Sequence, residues 1–192
     1  MKEKRTPPIV LASASPRRRE LMAAMGLRFT VVVSHADESL AEGTHPREGV
    51  AAVARRKAEA VAATLPEDTL VVAADTTVER DGTSLGKPKD ESEATEMLLS
   101  LGGRVHAVHT GVTVMYRGRT LTATETTEVV FRPLTREEVL SYVATGEPMD
   151  KAGAYGIQGG GGAFVERFLG EYDNVVGLPC RLLEKMIAEV TA

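Results

Sequence analysis

Asp75 follows an unbroken apolar run, Leu70-Val71-Val72-Ala73-Ala74. Such a run reads as a central strand, and an acid at its C-terminal end sits where open α/β sheets place their ligand crevices. A carboxylate there can activate water or hold a divalent ion. Capping of the next turn through Thr76 and Thr77 explains the same residue equally well. Lys57 is the second candidate. Val50, Val53, Ala54, Lys57 and Val61 recur at the spacing of one helix face, which Arg55, Arg56 and Glu59 do not share. A lysine among core positions either snorkels to water or meets a phosphate or carboxylate.

Ser13-Ala14-Ser15-Pro16-Arg17-Arg18-Arg19 carries the third signal. A strand enters a helix N-terminus, where free N–H groups and the helix dipole favour an anion. Ser15 fits the N-cap and Pro16 the first helical position. Arg18 shares a stripe with Leu21, Met22 and Met25 and points inward, whereas Arg19 reads as surface charge. A capped helix with a solvated basic turn accounts for these residues as well. Gly86-Lys87-Pro88 presents one lysine from a restrained turn and is weak by itself. In Asp150 to Gly159 the glycines permit close backbone approach, and Gln158 carries both a donor and an acceptor, as recognition of a base edge requires. Arg17, Arg18, Lys57 and Lys87 thus offer positive charge from separate segments, with Asp75 and Glu38 as acids. Cations around a carboxylate suit a polyphosphate bound with a divalent metal. The chain has no G-x-x-x-x-G-K-[ST], no strand-linked G-x-G-x-x-G and no G-x-S-x-G. His106 and His109 fall on opposite faces of a strand-like stretch, which disfavours a shared metal.

The elements that must hold these groups alternate early. Strands are expected at Ile9–Ala12, Phe29–Val33 and Leu70–Ala74, and helices over Pro16–Met25, the Val50–Val61 stretch and Asp90–Leu101. A long hairpin, Val105–Tyr116 and Thr120–Phe131, turns at Arg117-Gly118. Thr135 caps a helix to about Ala144, and Pro179 starts a last amphipathic one. This pattern predicts an α/β fold with a mixed twisted sheet and flanking helices. The 192 residues fit one domain, 1–192, without a dividing linker. Lys and Arg total 23 against 27 Asp and Glu, a net charge of −4, which does not suggest bulk attraction to nucleic acid or an anionic membrane. Aromatics are sparse and Trp is absent, against a base-stacking platform. Cys180 stands alone, so neither an intrachain disulfide nor a structural zinc site can form. The charged, Pro-rich start, Met1 to Pro8, is unlike a secretory leader, and no run approaches the roughly 18 apolar residues of a membrane span. A cytoplasmic location is expected.

These segments together resemble the Maf family of nucleoside triphosphate pyrophosphatases. The resemblance runs through Leu11 to Arg18, Asp37-Glu38-Ser39, Ala54 to Ala58, Ala74-Asp75-Thr76, Gly86-Lys87-Pro88, Gly146 to Gly159 and Val176 to Pro179. It implies two lobes around a central cleft, as in the ITPase-like folds, and often a homodimer. It also implies hydrolysis of a nucleoside triphosphate to the monophosphate and pyrophosphate with Mg2+ or Mn2+. Asp75 takes the position of the proton acceptor, Ser13, Arg17, Arg18, Lys57 and Lys87 those of phosphate-side groups, and Glu38 an acidic position for metal or water. Arg17, Thr76 and Gln158 match the dTTP/UTP branch, where the 7-methyl-GTP branch has Trp, Gln and Glu. A pyrophosphatase for another base (inosine or xanthosine triphosphate), or a nucleotide-binding regulator of cell division, are the alternatives. The run Gly159–Gly162 is expected to loosen the loop carrying Gln158.

Overall fold

The short apolar runs pair edge to edge, and the amphipathic stretches cover both faces of the sheet they make. A computed structural model describes residues 7–192; residues 1–6 of the charged start lie outside the described residues. Strands Ile9–Leu11 (β1), Phe29–Val31 (β2), Leu70–Arg80 (β3), Thr83–Leu85 (β4), Val105–Tyr116 (β5), Arg119–Phe131 (β6) and Val165–Leu169 (β7) form a 7-stranded sheet. Its order is β2-β1-β3-β5-β6-β7, with β4 on β3. β1 runs parallel to β2 and β3, and the remaining pairs are antiparallel. The helices are Pro16–Ala24 (α1), Pro46–Ala62 (α2), Glu91–Leu101 (α3), Arg136–Val143 (α4), Tyr172–Val176 (α5) and Cys180–Thr191 (α6). Between α4 and β7 the chain makes 3₁₀ turns at Glu147–Asp150, Ala152–Ala154 and Gly160–Phe164. Arg117 and Gly118 have φ of 47° and 75°, the left-handed pair that a two-residue hairpin turn requires.

β3 organises the molecule. Its side chains alternate: Leu70, Val72 and Ala74 pack with Met22, Leu178 and Leu183 on one face, while Val71 and Ala73 pack with Ala58 and Val61 on the other. Farther on, Val78 joins a separate cluster with Leu98, Val108, Phe131 and Tyr155. Between the clusters lie Asp75, Thr76 and Thr77. The strand expected to end at Ala74 therefore runs on to Arg80, held by β5 from Val71↔Met115 to Glu79↔Ala107. Asp75 is in mid-strand, not at a strand end, and Thr76 and Thr77 form no turn. The apolar run stops at Ala74 for a different reason. On the edge away from β5, β1 pairs only with Leu70–Val72 and β4 only with Val78–Arg80. The stretch between them is a notch in the sheet edge, and polar side chains there meet a cleft instead of a core.

Candidate active site

Every residue singled out in the sequence, Ser13, Arg17, Arg18, Glu38, Lys57, Asp75, Thr76, Lys87 and Gln158, borders one cleft of about 950 Å³ opening from this notch. Strand alternation decides what each meets. Asp75 shares the face of Val71 and Ala73, which α2 covers, and its Oδ1 lies 2.9 Å from Lys57 Nζ. The same ammonium is 3.1 Å from Glu38 Oε1. Lys57 does not snorkel to water: its side chain is 11% exposed and bridges two carboxylates. Arg56, one position off the buried face, donates to the Ser39 carbonyl at 2.8 Å and so ties down the loop that carries Glu38.

Thr76 shares the opposite face with α1. Arg18 donates from Nη2 to Thr76 Oγ1 at 3.0 Å, from Nε to the Gly177 carbonyl at 2.8 Å and from Nη1 to Ser13 Oγ at 3.3 Å. Thr76 Oγ1 also lies 2.9 Å from Thr110 Oγ1, and Thr110 donates to the Asn174 carbonyl at 3.0 Å. Because the Thr110 proton is committed to Asn174, Thr76 donates to Thr110 and its lone pair is free for Arg18. The inward-pointing arginine is thus fixed by a directional chain that ends on buried backbone. Burial pushes its pKa down, while Asp75 and Glu38 act in the other direction. At the head of α1, Ser15 Oγ accepts from Arg18 N at 3.4 Å, with Pro16 in the first turn and no acid there. Arg17 reaches 3.7 Å from Asp150 Oδ2; Arg19 is exposed.

The far wall is made of loops. Lys87 is exposed, but its turn is docked: Gly153 N–H donates to the Gly86 carbonyl at 3.1 Å, and Pro88 is buried. Gly153, at φ +67°, packs so closely on Val78 that a Cβ would stand 2.7 Å from Cγ2. Gln158 is exposed at the rim. Beneath it the Tyr155 ring stacks edge-on against Phe131 and His106, and its hydroxyl lies 2.8 Å from His106 Nε2. Burial lowers the His106 pKa to about 4, so the ring is neutral at neutral pH. The glycines that were expected to loosen this loop are packed instead. A Cβ on Gly161 would stand 2.9 Å from the Gly156 carbonyl, one on Gly162 2.5 Å from the Ile157 carbonyl, and one on Gly159 would overlap the Glu147 carboxylate. None of Gly159 to Gly162 has a left-handed φ. Close approach, not conformational freedom, requires glycine here.

No local pattern in the sequence singles out Asp150, which bridges Arg17 and Lys151 in the cleft and whose carboxyl is held low chiefly by the Lys151 hydrogen bond. The expected elements also omit β4, although Asp81-Gly82 at φ 51° and 78° is a hairpin signal, and β7 and α5. Asp75 and Glu38 are the acids that meet on Lys57. Among the described residues no group of three or more His, Cys, Asp or Glu stands together to cage a divalent ion. The donor set suits an ion such as Mg2+, which takes one or two carboxylates and completes its shell from water and substrate phosphates. Lys57, which now holds both acids, marks the spot as one that attracts positive charge.

An α/β sheet whose notch gathers cations around one carboxylate, with an amide at the rim, is the arrangement found here. The Maf-like protein family model matches residues 8–190, so the chain belongs to that family. A dTTP/UTP pyrophosphatase of Bacillus cytotoxicus is 49% identical over 178 residues, 92% of this chain and 93% of that protein. The Moorella thermoacetica protein of the same name is 51% identical over 182 residues, covering 94% and 93%. Among solved structures, a HAM1 protein from Coxiella burnetii aligns over 96% of this chain and 100% of that one, with a TM-score of 0.49 and 15% identity. No helix among the described residues is long and apolar enough to cross a membrane.

Proposed function

We propose that this chain hydrolyses nucleoside triphosphates, dTTP and UTP foremost, to the monophosphate and pyrophosphate. One observation carries the reading: the Asp75 carboxylate, 2.9 Å from Lys57 Nζ, stands in a notch lined also by Arg17, Arg18 and Lys87, with Gln158 at the rim. The names of the relatives support the same substrates.

Lys57 engages Asp75 Oδ1 and leaves Oδ2 to take a proton from an attacking water. The water oxygen bonds to the α-phosphorus, the bridging P–O bond breaks, and its electrons leave with pyrophosphate. Arg17, Arg18 and Lys87 offset the charge of the triphosphate, and the preset hydrogen bonds of Arg18 spare the cost of orienting it at the moment of reaction. Asp75 and Glu38 would hold the Mg2+ or Mn2+ ion, which when bound supplies further neutralisation of phosphate charge. Gln158 reads the base: thymine and uracil share the O2, N3–H, O4 pattern, and one amide can donate to a carbonyl and accept from N3–H. The reading places the protein in the cytoplasm as a homodimer, without a nucleic acid polymer or membrane as partner.

The test is pyrophosphate release from dTTP, UTP, CTP, inosine, xanthosine and 7-methylguanosine triphosphates with each ion, for the wild type and Asp75→Asn. The variant is expected to fold and to lose roughly 10²–10⁴ in kcat, the range for a general base. Near wild-type release by Asp75→Asn would overturn the mechanism.

A further inference from the structure

Gln158 hangs from a loop whose backbone is gripped on both sides by one carboxylate assembly. Glu147 Oε2 accepts from the Gly160 N–H at 3.0 Å. Its Oε1 accepts from the Tyr142 hydroxyl at 2.9 Å, and that hydroxyl accepts from the Gly156 N–H at 3.2 Å. The two gripped amides lie two residues before and two residues after Gln158. Glu147 is itself fixed: its carbonyl accepts from Lys151 Nζ at 2.7 Å and its N–H donates to Thr145 Oγ1 at 3.2 Å. Tyr142 is a core residue packed edge-on against Phe164. Gly159 lies directly against the carboxylate, where no side chain could be accommodated.

We propose that Glu147, acting with Tyr142, is a positioning residue that sets base selectivity by holding the backbone on both sides of Gln158. The inference rests on the reading of Gln158 as the base contact. An exposed amide selects one base edge over another only if its backbone is fixed, because a loop free to shift lets donor and acceptor trade places at little cost. Among these loop hydrogen bonds, those to the carboxylate are charge-assisted and the strongest.

Three variants test this: Tyr142→Phe, which keeps the ring and the charge; Glu147→Gln, which keeps the shape; and the double variant. Each is compared with the wild type in kcat and KM for dTTP and CTP, in competition by inorganic tripolyphosphate, which has no base, and in amide exchange over residues 155–162. The expected result is a roughly tenfold rise in KM for dTTP, the scale of one hydrogen bond to a charged group. The dTTP-to-CTP efficiency ratio falls with it, kcat stays within a few-fold, and amides of 155–162 exchange faster while those of β3 do not. Tripolyphosphate should compete with Tyr142→Phe as with the wild type, and the double variant should be no worse than the poorer single one, since both act through one network. Folded variants with an unchanged ratio and unchanged exchange would overturn the proposal. So would an equal loss of affinity for tripolyphosphate and dTTP in Tyr142→Phe, which would mark a general structural defect. A wild type that releases no pyrophosphate from any triphosphate overturns the functional reading and the selectivity role with it, while the exchange data still report whether the carboxylate holds the loop.

Discussion

The two walls of the cleft are built differently. The wall bearing Asp75, Lys57 and Arg18 is made of a central strand and two helices, and its charged groups are paired to one another or to buried hydroxyls and carbonyls. The wall bearing Gln158 is a succession of 3₁₀ turns whose order comes from a few side chains beneath it, Tyr142, Glu147 and Tyr155. On the proposed function, the first wall would move a proton and offset phosphate charge, tasks that tolerate little error in position and suit rigid elements. The second would read a base through one amide, which a loop can present once its backbone is held.

The largest effect should come from the rigid wall. Lys57→Met removes the cation between Asp75 and Glu38, and an unbranched apolar side chain fits the α2 face. The expected loss in kcat/KM is on the order of 10²–10³, with the melting temperature little changed; persistence of activity would show that the two walls are not so unequal. Acid should attack the other wall first. A histidine whose folded pKa is about 4 against 6.5 stabilises the fold above pH 6.5 and loses that contribution as the pH falls toward 4. With His106 buried, the difference amounts to roughly 3 kcal/mol. His106→Gln should flatten the melting temperature between those pH values, measured by scanning calorimetry or circular dichroism, and a slope equal to that of the wild type would place the acid-sensitive group elsewhere.

Gln158→Glu exchanges a donor for an acceptor and adds charge at the rim. The efficiency ratio of dTTP to CTP should fall roughly tenfold, about 1.4 kcal/mol, with substrates that offer a donor least affected. An equal loss for every triphosphate would move Gln158 from base recognition to the phosphates. The smallest change is a control. Thr135 and Glu138 form a capping box at the start of α4, the helix that carries Tyr142 at its other end. Thr135→Ala should cost about 1 kcal/mol in denaturant unfolding and leave the dTTP-to-CTP ratio alone, separating stability from positioning.

Much of the rigid wall was legible because it obeys local rules. The α2 stripe placed Lys57 inward, the Leu21–Met22 stripe did the same for Arg18, and Ser15-Pro16 marked the start of α1. The strand carrying Asp75 looks shorter in sequence than it is, because its apolar run stops while its pairing with β5 continues. The glycine run suggests looseness, because glycine is ambiguous in sequence. It permits freedom in one setting and contact in another, and only neighbours far along the chain, here Glu147 and Tyr142, decide between them.

By itself, the sequence determined the residue types at the site, the helix faces, the hairpin turn at Arg117-Gly118 and that its single cysteine cannot form an intrachain disulfide, because these depend on local periodicity, backbone sterics and composition. Tertiary structure alone decided that β1 and β4 leave a gap on one edge of β3 and that Asp75 and Thr76 look to opposite helices from adjacent positions. It also decided that Thr110 and Asn174 hold Arg18 at a sequence distance no local pattern reaches. The physical reason is that a cleft is defined by where strands stop pairing, and strand pairing is a contact between distant segments that neither segment encodes alone.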